Sequence, residues 1–399
     1  MVPGGTIAAP GYRRVELHEP WRNRMNELTP LAPAMPKGFE SDPARSLTPR
    51  AEFYTSPDLF RREVERVFYG HWNFAGHGET VREPGDYLTC RIMEQSVILV
   101  RGKDGVLRGF YNVCKHRAHE LLKGSGRTKV ITCPYHAWSY HVDGRLRSAR
   151  GSETMADFDR GEFCLTPVQV EEYAGFVFFN LDPEAPSLRS QAGELEAEIR
   201  QHCPSVEKLT LARRLTYNLK ANWKNVCDNF LECYHCKPAH PAFVDLVDIK
   251  NYRSRCYDIY SSHISPVGRS DSKAYQYDKA TAASSEFAAW WLWPNVTFNI
   301  LPGCANITTL HIIPTGPETV EEHLDFYFES KDLTDEQQAA IRYADEVLQA
   351  EDIGLVESVQ RGLHSHGYSQ GRYIVDSGRT EVSEHALHHF HSLLFKAVG

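Results

Sequence analysis

The 399-residue sequence lacks the features of several protein classes. No apolar run approaches the roughly twenty residues that a membrane-spanning helix needs, and the first residues show no basic stretch followed by the apolar core of a secretory signal. Basic residues do not predominate either, since the formal net charge is −8. This charge disfavours nucleic-acid binding, because phosphate contacts rely on concentrated Lys and Arg. We therefore expect a cytoplasmic protein that binds neither a membrane nor nucleic acid.

The ten cysteines also lack the arrangement of a small disulfide-rich domain. They are scattered between Cys90 and Cys304, a distribution that suits a reducing compartment. The sequence is 42% hydrophobic, which is enough for a sizeable core, and its length predicts two or three domains.

Two short motifs combine cysteine with histidine. Cys114-Lys115-His116 is followed, after sixteen residues, by Cys133-Pro134-Tyr135-His136. In a Rieske [2Fe–2S] cluster two Cys bind one iron and two His bind the other. A Cys2His2 zinc site is the alternative, but zinc fingers pair like ligands, whereas each motif here is mixed. The pattern therefore predicts that Cys114, His116, Cys133 and His136 bind a Rieske cluster.

Three stretches of the chain differ in composition and periodicity. Residues 1–52 are rich in Pro and Arg, and we expect an arm that packs on the C-terminal domain. Residues 53–182 contain short β-rich runs, which predict a small antiparallel domain with both cluster motifs at one end. Residues 183–399 combine strand-like runs with helical patterns near 195–202, 223–236 and 334–363, and predict one α+β domain.

Residues 222–241 concentrate the residue types that bind metals. On a helix, Asp228, Glu232 and His235 would share one stripe, at offsets of four and three. A straight helix would rotate His240 away from that stripe, but two nearby prolines allow the chain to bend it back. Two His with a distant carboxylate form the facial triad of non-haem Fe(II) oxygenases, which leaves positions open for O2.

Spacing alone leaves alternatives open in this segment. Residues 222–241 could instead form a polar helix face with hydrogen-bonded His residues. Cys233 and Cys236 could form a thioredoxin-like redox pair, although the βαβ context of such a pair is missing. Spacing also does not choose the carboxylate ligand, for which the candidates are Asp345, Glu346, Glu351, Asp352 and Glu357.

Together these motifs resemble the oxygenase α-subunits of the Rieske non-haem iron oxygenases. The resemblance covers nearly the whole chain after about the first fifty residues, and it is strongest to the members that act on carnitine. The residues that carry it are 110–114, 131–138, 170–178, 231–241 and 351–363.

The resemblance implies a role for individual residues. His235 and His240 would bind a mononuclear Fe(II), with Asp352 as the third ligand. Glu232 would bridge a cluster His of one subunit and an iron His of the next. Glu is typical of the carnitine-type members at this position, where many other members have Asp.

Two further residues, Asp228 and Asn229, are catalytic candidates in the same segment. For the inter-subunit bridge, His136 is the expected partner of a neighbour's Glu232, and His116 is the alternative.

The resemblance also implies an architecture and partners. We expect an α+β chain in which an antiparallel β Rieske domain (53–182) precedes a catalytic domain (183–399) with helices on an antiparallel sheet of the START/Bet v1-like type. The cofactors would be a [2Fe–2S] cluster and a mononuclear Fe(II), in a homotrimer. Because no flavin motif is evident, a separate NAD(P)H-dependent reductase of the flavin/ferredoxin type would supply electrons for O2 activation.

Aromatic residues suggest the substrate class. Trp291 and Trp293 share a face at strand spacing, and with Phe298 and Tyr234 they could bind a quaternary ammonium group by cation–π interaction. Ordinary core packing is the alternative. The resemblance implies carnitine, cleaved at the C–N bond to trimethylamine and malic semialdehyde.

Other functions remain open. The substrate could be glycine betaine, choline or γ-butyrobetaine, or an aromatic ring that stacks on the same side chains. A pure electron carrier or redox sensor would hold only the two irons of the cluster, whereas an oxygenase would hold three.

Overall fold

The computed structural model describes residues 36–266, 268–284 and 286–399. The prediction for residues 1–35 of the arm therefore lies outside the described residues. Two compact units are present in the described part: Thr80–Val170 forms one, and residues 36–79 and 171–399 form the other. In these ranges no helix combines the length and the apolar character needed to cross a membrane.

The strands, in chain order, are β1 (Asn73–His77), β2 (Asp86–Ile92), β3 (Gln95–Arg101), β4 (Leu107–Tyr111), β5 (Ser125–Arg127), β6 (Val130–Thr132), β7 (Ser139–His141), β8 (Leu146–Ser148), β9 (Pro167–Tyr173), β10 (Phe176–Asn180), β11 (Thr210–Leu219), β12 (Arg253–Cys256), β13 (Tyr260–Pro266), β14 (Glu286–Leu292), β15 (Val296–Ile300), β16 (Asn306–Gly316) and β17 (Thr319–Phe328). The α-helices are α1 (Glu52–Thr55), α2 (Pro57–Glu63), α3 (Leu188–Gln191), α4 (Leu195–His202), α5 (Trp223–Phe230), α6 (Cys236–Ala239), α7 (Pro241–Leu246), α8 (Asp335–Tyr343), α9 (Ala350–Leu363) and α10 (His385–Val398). Two π-helical segments, Val64–Phe68 and Ala344–Gln349, follow α2 and α8.

The first unit consists of short antiparallel strands around an apolar core. β2 to β5 and the beginning of β9 form one sheet, and β6, β7 and β8 form a second. Four consecutive apolar residues of β3, Val97 to Val100, are buried. Phe110, Trp138 and Tyr140 join the core that contains Ile98. The antiparallel β domain that the sequence predicts is therefore confirmed.

The second unit centres on a seven-stranded antiparallel sheet, in the order β11-β17-β16-β15-β14-β13-β12. Alternating residues of β14 show its two faces, because successive side chains of a strand point in opposite directions. Ala288 and Trp290 enter an aromatic core on one face, whereas Phe287 and Ala289 line a cavity on the other. Helices and sheet together confirm the α+β class.

The boundary between the units differs from the prediction of 53–182. Strands β1 and β10 pair with each other, and they belong to the second unit. The physical reason is aromatic packing, since Phe74 of β1 and Phe176 of β10 lie in one core with Trp290 and Phe298.

The described part of the N-terminal arm packs on the C-terminal segment of the same unit. The ring of Phe39 stacks on His388 at 4.7 Å and meets the ring of Phe395 edge-on at 4.8 Å. Leu47 forms a β-bridge with Arg372.

One long helical segment crosses the cavity face of the sheet. Thr334 begins it with a capping box, in which its side chain and that of Gln337 bond each other's backbone N–H. The segment continues through α8, the π-helical residues 344–349 and α9. The helix predicted at 334–363 is therefore present, with a π-helical interruption that the periodicity does not indicate.

Candidate metal centres

The two cluster motifs fold into matching loops within the first unit. In the loop that follows β4, the N–H of Ala118 donates to the carbonyl of Cys114 (3.0 Å). In the loop between β6 and β7, the N–H of Ala137 donates to the carbonyl of Cys133 (3.1 Å). Ala118 and Ala137 have φ values of 54° and 59°, a left-handed conformation that is uncommon for residues with a Cβ. Both Cys residues are therefore presented by the same uncommon backbone turn.

The four predicted cluster ligands meet at these loops. Cys114 and Cys133 are buried, and burial raises the pKa of the Cys114 thiol, as does the adjacent thiol of Cys133. The rings of His116 and His136 lie 4.7 Å apart. Nδ1 of His136 is buried and has no hydrogen-bond partner among the described residues, as expected of a nitrogen that binds a metal. The donor set therefore fits a [2Fe–2S] cluster held by two thiolates and two imidazoles.

Two aromatic residues surround these ligands. Trp138 stacks on the ring of His116, with centroids 4.9 Å apart and planes 10° from parallel. The buried hydroxyl of Tyr140 accepts a hydrogen bond from the N–H of Lys115 (3.0 Å) and lies 3.3 Å from Sγ of Cys114. Its own proton can therefore be donated to that sulfur.

The predicted iron-binding segment is not a single helix. Asn222 caps the start of α5 by accepting from the N–H of Lys224 (3.0 Å), and the helix ends at Phe230. Glu232 instead closes a turn, in which it accepts from the backbone N–H (3.1 Å) and from Nδ1 (2.5 Å) of His235. The prediction of one helical stripe is wrong because this turn replaces the helix.

Proline bends the chain at His240, as the sequence predicts. α6 ends at Ala239, and α7 begins with Pro241 in its first turn. Between them His240 has φ −120° and ψ 65°, which are not helical. The bend buries His240 and places its ring 5.0 Å from that of His235.

Asp352 of α9 completes a group of three possible ligands. Its Oδ1 lies 3.0 Å from Nε2 of His240 and 3.6 Å from Nε2 of His235. One ligand atom from each residue lies within 4.8 Å of the others. Of the five carboxylates that spacing left open, the structure groups Asp352 with the two imidazoles. The set fits an Fe(II) held by two His and one carboxylate.

Carboxylates also hold the far side of each imidazole. Nδ1 of His235 donates to Glu232 (2.5 Å), and Nδ1 of His240 donates to Oε2 of Glu351 (2.8 Å). Both Nε2 atoms are thereby turned toward Asp352. Such partners fix the tautomer and orientation of a metal-binding His.

The three ligands form a strongly interacting charged group. Burial lowers the pKa of His235, but hydrogen bonds to Asp352 and Glu232 outweigh it and raise the pKa to about 10. Burial raises the pKa of Asp352, but hydrogen bonds from both His residues lower it to about 2. Both shifts favour the charged form of the side chain, and a metal cation bound to Asp352 would replace the proton on the adjacent imidazole nitrogens.

A cavity of about 170 Å³ adjoins the three ligands. Its walls come from the sheet, from α5 to α7 and from the long helical segment. Six aromatic side chains line it: Phe230, Phe243, Tyr252, Phe287, Phe326 and Tyr343. Among the described residues that line it, none is Lys, Arg or Trp.

The four aromatic residues predicted to bind the substrate do not line this cavity. Trp291 and Trp293 are buried against each other (6.0 Å) and against Phe390 of α10. Phe298 lies in the core on the opposite face of the sheet, 5.0 Å from Phe176. Tyr234 is 50% exposed. The alternative of ordinary core packing applies to Trp291, Trp293 and Phe298, because strand spacing identifies a shared face without showing where on that face a cavity lies.

Asp228 and Asn229 point in different directions. Asp228 accepts from the hydroxyl of Tyr54 (2.7 Å) and lies 3.1 Å from Nε2 of His391, outside the cavity. Asn229 lines the cavity, and its Nδ2 donates to Oδ1 of Asp352 (3.0 Å).

Sequence reasoning did not foresee Glu322 at all, and it considered Glu351 only as a possible iron ligand. Glu351 is the partner of His240, and Glu322 lines the cavity from β17. A signal for Glu322 was present, since it interrupts the apolar positions of a strand face that includes Leu324. Cys233 and Cys236 are joined by a disulfide and line the cavity.

Comparisons with known proteins identify the two domains. Residues 71–159 match the Rieske [2Fe-2S] domain, and residues 206–398 match the catalytic domain of ring-hydroxylating α-subunits. The chain is 43% identical to the carnitine monooxygenase oxygenase subunit of Escherichia coli K12, over 93% of this chain and 98% of that protein.

Two further relatives extend the comparison. The chloroplastic choline monooxygenase of Beta vulgaris is 32% identical, over 90% of this chain and 79% of that protein. A solved quaternary ammonium Rieske monooxygenase, studied for carnitine oxidation by gut microbiota and inter-subunit electron transfer, has a TM-score of 0.85 and 39% identity. That match covers 92% of this chain and 99% of the other.

Proposed function

Since the chain belongs to the family of Rieske oxygenase α-subunits, we propose that it is the oxygenase component of a two-component monooxygenase that hydroxylates a quaternary ammonium compound. Carnitine is the first candidate, with C–N cleavage to trimethylamine and malic semialdehyde. The observation that carries the proposal is the cavity beside the three ligands. Six Phe and Tyr side chains line it, and the described lining residues include no Lys or Arg. Aromatic faces attract quaternary ammonium groups by cation–π interaction.

The side chains of the second unit prepare this site. When bound, the cluster supplies single electrons and the mononuclear iron activates O2. His235, His240 and Asp352 would hold the iron, while Glu232 and Glu351 keep a proton on Nδ1 of each imidazole and leave Nε2 as the donor atom. The apolar walls limit water around the substrate, which protects the site from side reactions.

We further propose a homotrimer in which Cys114, Cys133, His116 and His136 of one subunit hold the cluster that serves the iron of a neighbour. Glu232 would connect the two sites by contacting a cluster His of that neighbour, with His136 as the expected partner. The hydrogen bond from His235 to Glu232 supports the iron side of this bridge. A separate NAD(P)H-dependent reductase of the flavin/ferredoxin type would deliver electrons in the cytoplasm.

A specific observation favours a second candidate substrate. Carnitine carries a carboxylate, and the described residues that line the cavity include no Lys or Arg to pair with it. A cation without a carboxylate, such as choline, needs no such partner.

A single-turnover experiment tests the proposal without the reductase. The iron-loaded protein is reduced chemically, mixed with carnitine and O2, and assayed for trimethylamine. We expect close to one equivalent of product per active site, and none from Asp352→Asn. If a protein with three irons per chain gave no product from carnitine, choline or another betaine, the proposed function would be wrong.

A further inference from the structure

One acidic residue of the cavity has no role in holding the three ligands. Glu322 lies on β17, where its side chain faces the cavity together with Leu324 and Phe326. It is 1% exposed. The other acids of the lining, Glu232 and Asp352, hydrogen-bond to the ligand imidazoles.

The hydrogen-bond partner that Glu322 has in the cavity wall is a neutral amide. Nε2 of Gln349 donates a hydrogen bond to its Oε2, but no Lys or Arg is present among the described residues that line the cavity. Burial raises the pKa of Glu322 to about 8, and the charge of Asp352 contributes to the increase. A buried carboxylate without a cationic partner is unfavourable, and a strand face packed only for stability would be apolar at this position.

The chemistry of a quaternary ammonium group fits this gap. Its nitrogen carries no N–H, so a protein can recognise it only through charge and through contact with its methyl groups. The aromatic walls provide the contact. A carboxylate in the same cavity would provide the charge and would itself be stabilised by the bound cation.

We propose that the carboxylate of Glu322 is the counter-ion of the substrate's quaternary ammonium group and makes the cavity select cations over neutral molecules of the same shape. This inference rests on the proposed function and identifies the residue that determines substrate class. It also places Glu322 outside the iron-binding machinery, as a binding residue.

The test uses choline and its neutral isostere 3,3-dimethylbutan-1-ol, in which carbon replaces the charged nitrogen. Binding of each to the iron-loaded protein is measured by calorimetry, together with iron per chain. Glu322→Gln keeps the size of the side chain and an oxygen that accepts from Gln349, but removes the charge. Glu321→Gln, at the neighbouring position of β17 and outside the cavity lining, is the matched control, and Glu322→Asp restores the charge.

We expect Glu322→Gln to weaken choline binding by roughly tenfold or more while changing binding of the isostere by less than about twofold. Glu321→Gln should behave as wild type, and Glu322→Asp should recover most of the preference for the cation. An equal loss for both ligands would assign Glu322 a structural role and overturn the inference. If Glu322→Gln kept the wild-type preference for choline over the isostere, the inference would also be overturned. That result would leave the proposed function intact. Failure of the wild type to bind any quaternary ammonium compound would instead remove the proposed function and this inference together.

Discussion

Glu351 holds His240 on the side of the imidazole opposite Asp352. Nδ1 of His240 donates to Oε2 of Glu351 at 2.8 Å, while Nε2 lies 3.0 Å from Oδ1 of Asp352. The two acids are adjacent in the sequence and contact the two nitrogens of one ring. One turn of α9 thus supplies both a proposed iron ligand and the group that orients another.

Replacing Glu351 should therefore weaken iron binding without removing a ligand. We expect Glu351→Ala to lower Fe(II) affinity by roughly 10- to 100-fold, the usual effect of losing such a partner, while the cluster spectrum stays unchanged. Competition with an iron chelator measures the affinity. Glu346→Ala, at an exposed position of the π-helical segment, is the control. Equal affinities of the two variants would show that Glu351 does not support the site.

Tyr140 should influence the reduction potential of the cluster. Its hydroxyl lies 3.3 Å from Sγ of Cys114, and a hydrogen bond to a cluster sulfur favours the more negative, reduced state. We expect Tyr140→Phe to lower the potential by on the order of tens of millivolts, because one charge-assisted hydrogen bond is lost. A redox titration followed by electron paramagnetic resonance measures it. Tyr87→Phe, in the same unit, should leave the potential unchanged, and an equal shift in both variants would contradict the assignment.

The positions of Phe287 and Trp291 predict that mutation of the first affects substrate binding and mutation of the second affects stability. Phe287 lines the cavity, so Phe287→Ala should raise KM for the quaternary ammonium substrate, through the loss of about 0.5–2 kcal/mol of cation–π attraction. Trp291 is packed against Trp293 and Phe390, so Trp291→Ala should lower the free energy of unfolding by about 3–5 kcal/mol. Kinetics and thermal unfolding of both variants separate the two effects. If KM rose more for Trp291→Ala than for Phe287→Ala, Trp291 would be part of the substrate site.

Glu232→Gln tests the proposed bridge between subunits. The amide oxygen can still accept from His235, so we expect three irons per chain and an unchanged cluster spectrum. Turnover with reductase should fall by at least about 100-fold, because the charged connection between two metal sites is lost. Wild-type turnover in this variant would exclude Glu232 from the pathway. Iron content must be measured on the same samples.

Much of both sites was readable in the sequence because their chemistry is local. The two cluster motifs place their ligands within a few residues of each other, and the bend at His240 follows from the prolines beside it. Asp352 lies more than a hundred residues from His240, and there only the resemblance to a family chose it from five acids. The structure brings Asp352 together with His235 and His240, whereas their spacing in the sequence could not show this.

Other features depended on how the chain packs in three dimensions. The periodicity at 223–236 indicated one helix, yet a hydrogen-bonded turn at Glu232 replaces its second half. The sequence also could not show which part of the β14 face borders a cavity, so Trp291 and Phe287 were indistinguishable. The compact units divide at other residues than 53–182 for a related reason, since the aromatic residues of β1 and β10 join a core supplied mostly by later residues.

The π-helical segment Ala344–Gln349 imposes a length constraint on the chain. Cavity-lining residues are five apart across this segment, from Tyr343 to Leu348, and four apart beyond it, from Leu348 to Asp352. An α-helix keeps residues three or four apart on one face, and the π-helical turn adds one residue to that spacing, so deleting a single exposed residue here would leave a regular α-helix with Tyr343 still on the cavity wall. An insertion would instead rotate Tyr343 away from the cavity wall by about 100° while leaving every chemical group of the site in the sequence, so this segment should tolerate the loss of one residue better than the addition of one.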